Sequence, residues 1–113
     1  MKTMLLLILI IPMAVNAKSP DWFMISANSI IAIDYLQTLE IAQSGEWNER
    51  NPIMGEYPST GDVNRYFVSL AIIYNVVAQF VPKKHRNKFY VAIGLGHGSA
   101  VVHNYSAGIR IQF

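Results

Sequence analysis

Asp34, Gln37 and Thr38 stand at i, i+3 and i+4, a spacing that lays a carboxylate, an amide and a hydroxyl along one stripe of a helix. Such a stripe can meet a polar partner as a unit, and its carboxylate can act as a base. Far along the chain, His97, His103 and Asn104 are the other groups suited to acid–base or ligand chemistry. On an ideal helix the two histidines point roughly 120° apart, which makes them poor co-ligands by themselves. A metal there would need Asp34 or Glu49 as well, so neither a metal nor a cofactor is expected. Packing or hydrogen bonding between helices is the plainer role for both histidines, ahead of ligation or proton transfer. No H-E-x-x-H, G-x-S-x-G or G-x-x-x-x-G-K-[ST] occurs. The absence of cysteine removes disulfides, thiolate zinc sites and cysteine nucleophiles, and leaves the redox compartment unread.

The elements that must position these groups are apolar. Of 113 residues, 52% are hydrophobic and only 14% charged, which is richer in apolar side chains than an ordinary soluble domain. A net charge of +2, scattered along the chain, excludes nucleic acid as a partner. Lys2, the run from Leu5 to Val15 and the small-residue pattern Val15-Asn16-Ala17 predict a signal peptide over 1–17 followed by one helical membrane domain over 18–113. The alternative is a retained anchor, though Pro12 interrupts the run and Asn16 ends it short of the roughly 20 residues a span needs.

Three apolar segments follow. Trp22 to Ala42 is long enough to span a bilayer but carries Asp34 near its middle, so that carboxylate is expected to face protein or water. Tyr66 to Val81 is the most purely apolar, with Asn75 and Gln79 on one face and Pro82 as its stop. Phe89 to Ala107 is the weakest, and it carries two small-residue stripes: Gly94, His97, Val101 and Asn104 on one, Gly96, Ala100, His103 and Ala107 on the other. The pairs Gly94/Gly98 and Gly96/Ala100 would let a neighbouring helix approach closely. The predicted fold is all-α, with two to three transmembrane or membrane-embedded helices behind the signal sequence.

The connections differ in charge. Ser44 to Asn64 holds Glu46, Glu49, Glu56 and Asp62, four of the seven acids, with Pro52 and Pro58 as breakers. Lys83 to Lys88 is basic, and no acid occurs from Val63 onward. A cleaved signal followed by two spans would leave that basic stretch outside, against the positive-inside rule. Either the Asp34 helix is interfacial or re-entrant, so that only Tyr66 to Val81 carries the chain inward, or the cluster meets anionic lipid from the outside.

Asp34-Tyr35-Leu36-Gln37-Thr38, followed by Glu49-Arg50-Asn51-Pro52-Ile53-Met54-Gly55-Glu56-Tyr57-Pro58, resembles an uncharacterised group of small bacterial and phage-type membrane proteins. That group shares a D-x-x-Q-T helix, an E-x-N-P-[IL]-[LM]-G-x-x-P loop and a closing G-[IL]-x-[IV]-x-F, here Gly108 to Phe113. The Tyr66-Phe67 pair opens the second span as the pattern has it. The resemblance covers most of 18–113 and implies a multi-span helical fold without implying an activity. Glu49 and Asn51 can turn back toward Asp34, or cap backbone groups that lipid cannot hydrate. The alternation in Ile109-Arg110-Ile111-Gln112-Phe113 also fits the last strand of an outer-membrane barrel, but Trp22 to Ala42 lacks period-two alternation.

Two functions fit these residues. One is a non-enzymatic structural or interaction component of a cell membrane, bacterial inner membrane being the expected place, with the bilayer, a second copy or a larger membrane protein as partner. The other is a membrane-embedded hydrolase or transferase acting on a lipid or lipid-linked substrate, with Asp34 or a histidine as base.

Overall fold

Ser59 and Asp62 set where the second helix starts. The Asp62 N–H donates to the Ser59 hydroxyl at 3.0 Å and the Ser59 N–H donates to the Asp62 carboxylate at 3.1 Å, a reciprocal capping box. The computed structural model describes residues 21–44, 53, 55 and 57–111, and these contain three helices: α1, Trp22–Ser44; α2, Thr60–Phe80; and α3, Lys83–Ser106. The expected signal over 1–17 and the loop residues Glu49 and Asn51 lie outside the described residues.

Two of the expected boundaries move. Helix α2 begins at Thr60 rather than Tyr66, because the capping box starts it inside a polar stretch with no apolar periodicity. Pro82 stops it as anticipated, holding Val81 in an extended conformation at φ −75° and ψ 131°. The chain then re-enters a helix at once. Lys83 to Lys88, expected as a connection, forms the first turns of α3. Pro82, at φ −53°, already has the backbone of a helix start, and lysine and arginine are good helix formers that leave no apolar signal.

At the far end of α3, Gly108 adopts φ +99°, donates to the Tyr105 carbonyl at 3.1 Å, and is followed by Ile109 donating to the Asn104 carbonyl at 3.0 Å. This paired closure needs a left-handed residue, which glycine supplies without strain, and it buries Ile109. Gly108 and Ile109, the first residues of the closing motif, therefore form a helix cap. Trp22–Ser44, Thr60–Phe80 and Lys83–Ser106 are helical where a barrel would need strands.

The helices run up, down and up. Asn28 meets Asn75 and Tyr35 meets Asn64, so α2 is antiparallel to α1. Asp34 meets His97 and Gln37 meets Asn104, so α3 is parallel to α1. Helix α1 is the shared partner, and Ile31, Tyr35 and Leu39 on it pack in one core with Val63 and Phe67 of α2 and Tyr90 of α3. Phe67, of the expected aromatic pair, sits with its ring 5.5 Å from Tyr35 and 5.2 Å from Tyr66, within the range where tilted and edge-on rings attract.

Only one of the two glycine stripes meets a helix. A Cβ on Gly94 would lie 3.5 Å from Ile30 Cδ1, and one on Gly98 4.0 Å from Ile30 Cγ2, so these two positions let α1 come close. A Cβ on Gly96 would have nothing within 4 Å, and His103 and Ala107 of the same stripe are exposed, with Ala100 half-buried.

Among the described residues, no helix is long and apolar enough to cross a membrane. The expectation of two to three transmembrane helices, taken from the apolar segments alone, therefore goes further than mean hydropathy allows. Asn28, Asp34, Gln37 and Glu40 lower the average of α1, and Asn75 and Gln79 lower that of α2. Of these six, all but Gln79 are buried.

Candidate functional site

The stripe on α1 meets its partner on α3. Because these helices run parallel, Asp34 and Gln37, one turn apart, line up with His97, Val101 and Asn104 at i, i+4 and i+7. Asp34 Oδ2 lies 2.6 Å from His97 Nδ1, and His97 Nε2 lies 3.3 Å from the Tyr74 hydroxyl of α2. With Nδ1 protonated, His97 donates to the carboxylate and accepts from Tyr74, which joins all three helices through one imidazole. The ring is further held by Phe67 and Tyr74, whose centroids lie 6.4 and 5.7 Å away.

One turn on, the Gln37 amide donates to the Val101 carbonyl at 3.2 Å and its oxygen accepts from Asn104 Nδ2 at 3.3 Å. Thr38 turns back on its own helix, its hydroxyl donating to the Asp34 carbonyl at 2.8 Å with Asp34 Oδ1 at 3.5 Å. The structure thus brings Asp34, Gln37, Thr38, His97 and Asn104 into one seam. It leaves His103 exposed and away from that seam.

A second polar cluster, which the chemistry-bearing residues did not suggest, joins the other end of the bundle. Asn28 and Asn75 exchange side-chain hydrogen bonds of 3.1 and 2.8 Å, and each also donates to the carbonyl one turn back, Met24 at 2.8 Å and Ala71 at 2.7 Å. The Tyr90 hydroxyl donates to the Asn75 oxygen at 3.0 Å. A third contact, Tyr35 hydroxyl to Asn64, ties α1 to the start of α2. The signal was present for Asn28, which shares a stripe with Ile31, Tyr35 and Thr38 at helical spacing. Asn75 stood out inside its apolar span, but Gln79, grouped with it, is exposed. Among the described residues every buried side-chain nitrogen and oxygen has a hydrogen-bond partner.

The basic stretch is not uniform. Arg86 is half-buried and turns back onto the end of α2, its Nε donating to the Ala78 carbonyl at 2.8 Å and its Nη2 to Val81 at 3.1 Å and Gln79 at 3.4 Å. It satisfies carbonyls that a helix end leaves open and sets positive charge at the negative end of the α2 dipole. Lys83, Lys84 and Lys88 are exposed.

The arrangement can do two things chemically. It can lock three helices in register through buried polar pairs, and it can pass a proton along carboxylate, imidazole and phenol. Among the described residues, no three of the histidines and carboxylates gather as a metal site would require. No protein-family model, curated protein or solved structure matches the chain.

Proposed function

We propose that the chain is a small integral membrane protein of a bacterial inner membrane, a non-enzymatic structural or interaction component whose polar seams hold three helices together in lipid. One observation carries this reading: polar side chains are buried between the helices beside the apolar core while large apolar side chains line the outer faces of α2 and α3. Asn75 and Asp34 are 3% and 7% exposed, whereas Ile73, Val102 and Leu95 are 56%, 66% and 68% exposed. Exposed isoleucine, valine and phenylalanine continue along α2 and α3 through Ile72, Val76, Val77, Phe80 and Val91. In water, contiguous apolar surface of this kind marks an interaction site. In lipid it needs no partner, while buried amides and carboxylates find hydrogen bonds across helices. Mean hydropathy treats Asn28, Asp34 and Asn75 as though they met lipid, although each is turned into the bundle.

Fractionation of cells expressing the full chain tests the reading. It should stay with membranes through alkaline carbonate and come out only in detergent. Recovery in the carbonate supernatant would refute it.

The Asp34–His97 couple supports a second reading, an acid–base enzyme acting on a lipid-linked substrate. It ranks behind the first because His97 Nε2, the atom that would serve as base, already faces the Tyr74 hydroxyl inside the bundle.

A further inference from the structure

Between the first turns of α1 and the middle of α3 runs an apolar groove of about 440 Å³, its walls including Trp22, Phe23 and Ile30 on one side and Val91 and Leu95 on the other, with Gly94 between. Gly94 lies on its floor, where a Cβ would come within 3.5 Å of Ile30. Lys84 and Lys88 continue one wall toward its basic end, since Lys84, Lys88, Val91 and Leu95 fall at i, i+4, i+7 and i+11 on a single face of α3. Both lysines are exposed and neither takes part in an ion pair among the described residues. The nearby acid at this end, Asp21, is engaged in capping α1, accepting from the Met24 N–H at 3.0 Å. Arg86, by contrast, is committed to the α2 carbonyls.

We infer that this groove binds one anionic phospholipid, an acyl chain lying along Ile30, Val91 and Leu95 and the phosphate meeting Lys84 and Lys88. The charge order decides the occupant: an apolar slot of a size usual for small-ligand sites has, on the α3 face that continues Val91 and Leu95, two lysines that form no ion pair among the described residues. A zwitterionic lipid would offer the same chain with no net charge for the lysines, and a free anion would leave the slot empty. The inference rests on the membrane reading above, which supplies the lipid.

Trp22, in the groove wall, reports occupancy directly once the chain's other tryptophan is removed as Trp47→Phe. The full-length W47F chain is placed in phosphatidylcholine vesicles containing a minor fraction of bromine-labelled phosphatidylglycerol, or the same fraction of bromine-labelled phosphatidylcholine. Quenching of Trp22 should be stronger with the anionic lipid. Each lysine near a headgroup contributes roughly a fivefold preference, so Lys84→Gln with Lys88→Gln should cut relative affinity for the anionic lipid by about 25-fold. Ser26→Phe, which puts a ring into the groove from an exposed position, should weaken quenching by either lipid. Far-UV circular dichroism confirms that the variants fold. Equal quenching by both lipids, or an anionic preference that survives loss of both lysines, overturns the site while leaving the membrane reading in place. Failure of the chain to enter vesicles at all overturns both.

Discussion

Replacing Asp34 with leucine isolates what the seam contributes. The change removes the acceptor 2.6 Å from His97 Nδ1 and leaves that N–H facing apolar volume, in a side chain only 13% exposed. An orphaned buried donor costs about 1–3 kcal/mol, and interhelical hydrogen bonds in bilayers average about 0.6 kcal/mol with a maximum near 1.7. We expect Asp34→Leu to destabilise by about 1.7 kcal/mol, the upper end of the bilayer range, because the contact is short and both side chains are nearly buried. His97→Leu should lose a similar amount, leaving the carboxylate buried and the Tyr74 hydroxyl without its acceptor. With both replaced, nothing polar is stranded between Asp34 and His97, so the double variant should lose far less than the sum, a coupling of about 1–2 kcal/mol. The four proteins are compared by equilibrium unfolding of the purified full chain in mixed micelles, with rising denaturing detergent and helix content as the readout. Additive losses, with the double variant within about 0.3 kcal/mol of the sum, would show that the contact does no energetic work and refute the reasoning.

Asn75→Ala leaves the Asn28 amide oxygen and the Tyr90 hydroxyl without their partner, so it should destabilise by about 2–3 kcal/mol in the same assay, while exposed Gln79→Ala stays within about 0.5 kcal/mol. Gly96→Ala meets open space and gains helix propensity, so it should stabilise by up to about 1 kcal/mol, whereas Gly94→Leu must push Ile30 aside and should destabilise; loss of stability from Gly96→Ala would instead indicate that the exposed stripe is packed against another chain. The Ser59 N–H, the Ser59 hydroxyl and Arg65 hold the Asp62 carboxyl below its ordinary value, at the exposed start of α2. The folded value is the lower one, so its stabilisation is complete above the ordinary aspartate pKa and fades as pH falls through the folded value; the stability gap between wild type and Asp62→Asn, read by thermal unfolding, should close over that range and stay constant above it.

The three helices were legible because each carries an apolar run that a polar or Gly/Pro stretch ends. The start of α1 at Trp22 was legible too, but those of α2 and α3 were not. The α2 cap lies in Ser59 and Asp62, before any apolar repeat, and the first turns of α3 are lysines whose helical preference leaves no periodic mark. The stripe of Asp34, Gln37 and Thr38 could be read because helical spacing is local. Its partner could not be assigned: matching Asp34 to His97 depends on α1 and α3 running parallel, which follows only from α2 being a full helix and Val81-Pro82 a tight link. His103, six residues from His97, had the same chemistry on paper and faces away. Tyr74 and Tyr90 carry no spacing signal in the sequence, yet their hydroxyls complete the two polar clusters, and Asn28 found its use only once Asn75 lay opposite.

In the membrane reading the outer faces of α2 and α3 meet lipid while the polar seams stay inside. Because the chain has no cysteine, single cysteines at Ile73, Leu95 and Val102 can each carry a spin label in the full chain reconstituted into vesicles, with Lys84 as the aqueous reference. We expect the first three labels to collide readily with molecular oxygen, which concentrates in hydrocarbon, and hardly with a water-soluble nickel chelate, with the reverse at Lys84. Nickel access at Ile73, Leu95 and Val102 equal to that at Lys84 would put those faces in water and contradict that reading.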